Sequence, residues 1–277
     1  MKRIIIATDF SAASQTAIEY GIAFAAALDS SVTVVNAYRE ITTPVTVDLL
    51  LPMAKDVQNY SQEQLRLQLA RVHKEKTAPV QLLAAEGSPV DVLLQTAHDL
   101  QADMIVAGMK GEGKNSRRIF GSTVTALSRK TPIPLLIVPE NSVYAVPRNI
   151  VFANDLDPGA DVRLLAPLRE IALNFNSKVH ILRVIKKKED EVIEIMEHRS
   201  RLEKMLRSLD VRFEFLLDKH VPESITRFAG SHDISMVAMV PHPHFIPEKW
   251  FVKSVTREMF FETRVPVLII PEPGRPD

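Results

Sequence analysis

Gly108, Gly111, Gly121, Ser122 and Thr123 lie in one stretch, Gly-Met-Lys-Gly-Glu-Gly-Lys-Asn-Ser-Arg-Arg-Ile-Phe-Gly-Ser-Thr. Glycines at a strand exit let backbone N–H groups approach a ligand closely, because no Cβ stands in the way. A helix that opens with Gly-Ser-Thr offers N–H groups without intrahelical acceptors, a positive dipole end and two hydroxyls. Lys114, Arg117 and Arg118 add positive charge inside the loop. Each of these parts suits a phosphate. The plainer alternative is that Gly108 ends a strand and Gly121 relieves a tight turn. A lone Gly-x-x-Gly fits that alternative well; the full spacing Gly-x2-Gly-x9-Gly-Ser, between a strand and a helix, is far more specific.

The elements that would position this loop follow from the hydrophobic pattern. Met104–Ala107 before it is a short apolar run of the kind that makes a buried strand, and Val124–Lys130 after it reads as a short helix with basic residues in its last turn. Upstream, Arg3–Thr8 is an apolar, β-branched run ending at Asp9-Phe10-Ser11, a strand followed by a capped turn. Residues 14–28 carry apolar side chains at helical spacing. Val32–Tyr38 and Val80–Ala85 read as strands, and Ile41–Pro52, with two prolines and no clean period, reads as a loop or insertion. Residues 54–76 predict a long charged helix with Leu65, Leu69 and Val72 on one face. Ser88-Pro89 opens a further helix, with proline at a tolerated early position, and Leu135–Val138 closes the set. The order β-α-β-α-β-α-β-α-β predicts a parallel sheet covered on both faces. If the strand order is 3-2-1-4-5, Asp9 and Gly108 meet where the winding reverses, at the crevice where open α/β sheets hold ligands. Asp9 has a local alternative, capping the helix that follows it.

The second half repeats the first. Asn149–Asp155 mirrors Arg3–Asp9, and Ser177-Lys-Val-His-Ile-Leu mirrors Ser30-Ser-Val-Thr-Val-Val. Glu86–Glu140 faces Asp218–Glu272 without a gap. A repeat of this length predicts two tandem Rossmann-like α/β domains, each with a five-stranded parallel sheet, over residues 1–140 and 148–277. In the same register Gly108 becomes Val240, Gly111 becomes Pro243 and Gly121 becomes Lys253, while Ser122 keeps its type as Ser254. Proline removes a donor, and valine and lysine each bring a Cβ. The second loop, Pro241–Pro247, is therefore expected to be stiff and unable to wrap a phosphate in the same way.

The 277 residues suit two domains, with 46% hydrophobic and 25% charged residues. Thirty-four basic residues balance 34 acidic ones, so the basic excess of a nucleic-acid binder and the polybasic patch of a membrane-surface protein are both missing. There is no cysteine, which excludes disulfides and thiolate chemistry and fits a cytoplasmic location. The N-terminus turns acidic too soon for a signal peptide, and no apolar stretch reaches membrane-spanning length.

The glycine stretch resembles the nucleotide-binding signature of the universal stress protein family, and the chain resembles a tandem member, once per half. The resemblance implies an ATP-binding first domain, with Mg²⁺ as an optional companion, and a second domain that has departed from the binding branch. It implies that Asp9 contacts adenine and that Ala37, at a position where the family more often has valine, packs near the adenosine. Gly108, Gly111, Gly121 and Ser122 would take the phosphates and ribose, with Thr123 following at the helix start. In this family edge strands pair between domains, so Leu135–Val138 and Val267–Ile270 imply a pseudo-twofold dimer within the chain and association into a homo-oligomer.

Other candidates are thin. His242 and His244 flank Pro243 without nearby acids, a poor ligand set, so no metal is expected. Trp250 with Phe245, Phe251, Phe260 and Phe261 reads as packing or interface. Lys186–Glu191 reads as a solvated helix start, and His73 and His98, on predicted helices, as surface or boundary residues. No Gly-x-Ser-x-Gly elbow, Gly-x4-Gly-Lys-Ser/Thr loop or His-Glu-x-x-His is present. Three functions stay open: a regulatory ATP-binding module, a weak ATPase or phosphotransferase, and a non-binding interaction protein. No catalytic residue is assigned.

Overall fold

A computed structural model describes residues 1–39, 47–72, 78–109, 121–153, 162–185, 199–200, 202–204, 206–240 and 265–272. Gly111, the loop cations, His73, Lys186–Glu191, the His242/His244 loop and the Trp250 aromatic group lie outside the described residues. The chain divides into two compact units, Met1–Leu127 with Leu135–Tyr144, and Ser128–Pro134 with Ala145–Asp277.

In the first unit β1 (Arg3–Thr8), β2 (Ser31–Tyr38), β3 (Val80–Glu86), β4 (Met104–Gly108) and β5 (Leu135–Val138) form a sheet in the order β3-β2-β1-β4-β5. Its pairings are parallel, with Ile6 opposite Val106, Thr8 opposite Asn36 and Ala37 opposite Ala85. Ile4, Ile5 and Ile6 are all buried, and so is Leu135–Val138 throughout. Continuous burial of successive residues means that both faces of these strands are covered, which is why they read as apolar runs rather than as alternation.

Helix α1 (Ala12–Ala27) seats on this sheet through Ala17, Ile18, Gly21 and Phe24. A Cβ on Gly21 would stand 2.6 Å from Ile6 Cδ1, so the glycine sets how closely α1 approaches β1. Helix α2 spans Val47–Ala70, beginning earlier than the sequence pattern indicates. Pro52 deprives the helix of one hydrogen bond near its start without breaking it. Helix α3 (Pro89–Asp99) lies in this unit, and α4 (Ser122–Lys130) has its first six residues, Ser122–Leu127, in it. After β5 the chain folds back on α1: Thr16 Oγ1 donates to the Glu140 carbonyl at 2.6 Å, and the Tyr144 ring meets Tyr20 edge-on at 5.3 Å.

The second unit repeats the plan with β6 (Asn149–Ala153), a 3₁₀ turn (Val162–Leu165), α5 (Ala166–Phe175), β7 (Lys178–Ile185), β8 (Asp210–Leu217), α6 (Val221–Ser231), β9 (Met236–Met239) and β10 (Val267–Ile269). Its sheet runs β8-β7-β6-β9-β10, again with parallel pairings. Each unit therefore has a Rossmann-like α/β sheet with the 3-2-1-4-5 order that the sequence implies.

Candidate functional site

In the first unit β1, β2 and β3 are laid down in one direction from the centre and β4 and β5 in the other, so the winding reverses between β1 and β4. The carboxyl ends of these neighbours carry the residues singled out in the sequence: Asp9 follows β1, Ala37 lies near the end of β2, and Gly108 ends β4. This is the position at which open parallel sheets hold ligands.

The turn after β1 is tightly determined. Phe10 takes a left-handed conformation with φ of 66°, uncommon for a residue with a large side chain. Its N–H donates to Thr8 Oγ1 at 3.1 Å. Asp9 is exposed, and its Oδ1 accepts from the Ser11 N–H at 3.1 Å and the Ser11 hydroxyl at 2.6 Å. Ser11 is the N-cap of α1 and accepts from the Ser14 N–H at 3.2 Å. Asp9 thus braces the cap rather than capping the helix itself, with its carboxylate held at the carboxyl end of β1.

Gly108 has a packing reason to lack a side chain. A Cβ there would stand 2.6 Å from the Ala13 carbonyl oxygen and 3.0 Å from the Ser14 nitrogen, both backbone atoms of α1. The glycine therefore lets the end of β4 press against the first turn of α1. Beyond it, Met109 is buried and donates its N–H to the Val138 carbonyl at 2.8 Å. Gly121 donates to the Met109 carbonyl at 3.1 Å, so the chain leaves and re-enters the sheet edge at one point. The Gly121 carbonyl accepts the first helical bond of α4, from Thr125 at 3.0 Å. The N–H groups of Ser122, Thr123 and Val124 precede that bond and have no acceptor within the helix. Ser122 is exposed and Thr123 half-buried at this positive end. The structure thus gathers Asp9, Ala37, Gly108, Gly121, Ser122 and Thr123 around one edge of one sheet.

Sequence reasoning missed the buried polar residues beneath this edge. Thr8, Ser14, Asn36, Ser61 and Gln68 are all buried. Thr8 Oγ1 donates to Gln68 Oε1 at 2.6 Å, Asn36 Nδ2 to the Thr8 carbonyl at 2.9 Å and Ser61 Oγ to Asn36 Oδ1 at 2.6 Å. A satisfied hydrogen bond contributes about 1 kcal/mol net, whereas orphaning a buried partner costs about 1–3 kcal/mol. Two signals for them were present: Thr8 and Asn36 interrupt apolar strands, and Ser61, Leu65, Gln68 and Val72 share one helical face.

Among the described residues no group of three or more His, Asp or Glu side chains is arranged to hold a metal, and no described helix is long and apolar enough to cross a membrane.

A twice-repeated five-stranded parallel sheet in the order 3-2-1-4-5 defines a class of Rossmann-like α/β proteins. Comparison with known proteins identifies the family. The universal stress protein family model matches residues 1–139, and the chain belongs to that family, a family of stress-response proteins. The universal stress protein Slr1230 of Synechocystis is 24% identical over 97% of this chain and 99% of its own length. The crystal structure of a universal stress protein from Archaeoglobus fulgidus superposes with a TM-score of 0.66 at 15% identity, covering 98% of this chain and 96% of that one. A universal stress protein solved in complex with cAMP covers 50% of this chain and 98% of its own, with a TM-score of 0.38 and 22% identity.

Proposed function

We propose that the first unit binds ATP, with or without Mg²⁺, and that the protein is a regulatory nucleotide-binding module rather than an enzyme. The observation that carries this reading is the convergence of Asp9, Ala37, Gly108 and the α4 N-terminus at the reversal point of one sheet. Asp9 would receive the base, Ala37 would pack beside the adenosine, and Gly111, Gly121, Ser122 and Thr123 would supply phosphate and ribose contacts. Gly108 serves the site by letting β4 close on α1.

Phosphoryl transfer would need a metal and a group that positions the attacking water or hydroxyl. Asp9, already accepting two bonds from Ser11, supports recognition better than proton transfer. The same reading places the protein in the cytoplasm as a homo-oligomer, which fractionation and light scattering would check.

Calorimetric titration with ATP and Mg²⁺ is expected to give one site per chain. Gly111→Pro, which copies Pro243, is expected to weaken that binding at least about tenfold while leaving the unfolding midpoint unchanged, because it removes one donor from a loop. Two equal sites, no binding by the wild type, or wild-type affinity in the variant would each overturn the reading. Phosphate release above background would move the function to a weak ATPase.

A further inference from the structure

Helix α2 is fastened to the strand ends of the candidate site by polar bonds. Ser61 and Gln68 are 2% and 4% exposed. Ser61 Oγ donates to Asn36, Asn36 donates to the Thr8 carbonyl, and the Thr8 hydroxyl donates to Gln68. Thr8 and Asn36 face one another in register, and each immediately precedes a candidate contact, Asp9 or Ala37. The Thr8 hydroxyl also accepts the N–H of left-handed Phe10, so one oxygen holds both α2 and the turn that presents Asp9.

Apolar side chains would fasten a helix to a sheet without desolvating polar groups. A fully satisfied polar network adds direction: it permits one placement of its members and polarises them together. The second unit offers an internal control. Its β6–β7 register pairs Asn149 with Lys178 as the first pairs Arg3 with Ser31. Arg183 therefore stands where the first unit has Asn36. The unit whose loop has lost its glycines has also replaced the amide at the centre of the network, although its sheet is built in the same order.

We infer that Thr8, Asn36, Ser61 and Gln68 are positioning residues that set Asp9 and Ala37 for a nucleotide base and couple occupancy of the crevice to α2. The inference rests on the ATP-binding reading of the first unit. A ligand that draws on Asp9 tightens the turn at Phe10 and, through the Thr8 hydroxyl and the Asn36 amide, the middle of α2.

Two measurements test it. The full chain and its Ser61→Ala, Ser61→Thr and Gln68→Met variants are titrated with ATP and Mg²⁺, with thermal unfolding recorded for each. Ser61→Ala and Gln68→Met are each expected to weaken binding about fivefold, the net worth of one hydrogen bond. Ser61→Thr, which restores the hydroxyl, is expected to recover most of that loss. Independently of any variant, ATP is expected to slow amide exchange across residues 58–69 of the wild type. Wild-type affinity in both Ser61→Ala and Gln68→Met, or unchanged exchange in α2 under saturating ATP, would overturn the inference and leave the ATP reading intact. A wild-type chain that binds no ATP would overturn both. Should a variant fail to fold, the exchange result on the wild type decides.

Discussion

The two units agree at one end of their sheets and part company at the other. At the amino end the same bonds are made twice. Asp103 accepts the Arg3 N–H with its carboxylate and returns its own N–H to the Arg3 carbonyl; Ser235 does both for Asn149. Ser30 Oγ donates to the Met1 carbonyl, and Ser177 Oγ donates to the Pro147 carbonyl. Asp29 and Asn176 both turn left-handed after α1 and α5, at φ of 52° and 50°, and Gln101 and Asp233 do so after α3 and α6. At the carboxyl end, Gly108 gives way to Val240 and Asn36 to Arg183, and the first helix shortens from the 16 residues of α1 to the 10 of α5. The amino edge, where the same bonds recur, holds the fold, and the units diverge at the carboxyl edge, the side on which open α/β sheets hold ligands.

The sharpest way to break that contrast is to exchange its central pair. Gly108→Val puts a branched side chain against the Ala13 carbonyl, a backbone atom that cannot swing aside. Overpacking of this kind costs about 1–3 kcal/mol, and the β4–α1 seam lies beside the proposed site, so on the ATP-binding reading affinity is expected to fall with stability. Urea unfolding and titration check both; a variant as stable as the wild type that still binds ATP would mean that Gly108 is incidental. The reverse change, Val240→Gly, removes a buried side chain and is expected to destabilise by about 2 kcal/mol without creating a second site.

Much of this division was legible in the residues. The strands were legible because burial on both faces leaves continuous apolar runs, and the alternation of strands and helices predicted a parallel sheet, whereas its 3-2-1-4-5 order entered only as the condition that brings Asp9 to Gly108. Asp9 and the glycines stood out by type and spacing. The start of α2 was hidden by Pro52, which reads as a breaker although the helix passes through it. The network beneath the crevice was hidden for a different reason. Thr8 and Gln68 are 60 residues apart, and only the packing of α2 brings them together. The packing duty of Gly108 was equally invisible, since it depends on where the first turn of α1 comes to rest.

A smaller effect distinguishes the units by pH. On the second unit's sheet His180 is buried within 3.4 Å of Glu214, and its ring meets Phe228 and His232 of the α6 region at 5.7 and 6.0 Å. Thr33 occupies the corresponding position of the first unit. Burial lowers the His180 pKa below its ordinary 6.5; hydrogen bonding and attraction to Glu214 oppose the shift, and His232 and Lys178 add to it. The folded state therefore prefers neutral imidazole. The unfolded chain takes up a proton near 6.5, so stability is fully present above that pH and is lost as pH falls below it. One proton limits the slope to about 1.4 kcal/mol per pH unit. His180→Gln is expected to flatten the decline between pH 7 and 5; an unchanged profile would remove His180 as its source.

The smallest expected effect is at Asp218, which precedes α6. Its carboxylate accepts the His220 N–H at 3.0 Å and the Ser224 hydroxyl at 2.7 Å, with Arg227 3.6 Å away. The N-caps of both helices, Ser88 before α3 and His220 before α6, make no side-chain cap bond, and in the second unit the Asp218 carboxylate two residues upstream fastens the helix start instead. The His220 backbone bond, then the Ser224 hydroxyl, hold the Asp218 pKa below its ordinary 3.8; desolvation opposes them, and attraction to Arg227 and His220 adds a lesser lowering. Its contribution is present above that pH and is lost only as pH falls through the lower folded-state value. Asp218→Asn keeps an acceptor and removes the charge. Its urea midpoint at pH 7 is expected to shift slightly downward, and its stability to fall less steeply than the wild type's below pH 4. Added salt should narrow the difference at pH 7, since the groups around Asp218 are near the surface and screened. A large, salt-independent loss at pH 7 would mean that Asp218 supports the α6 start by geometry rather than by charge, and the two units would then differ in how that helix is built.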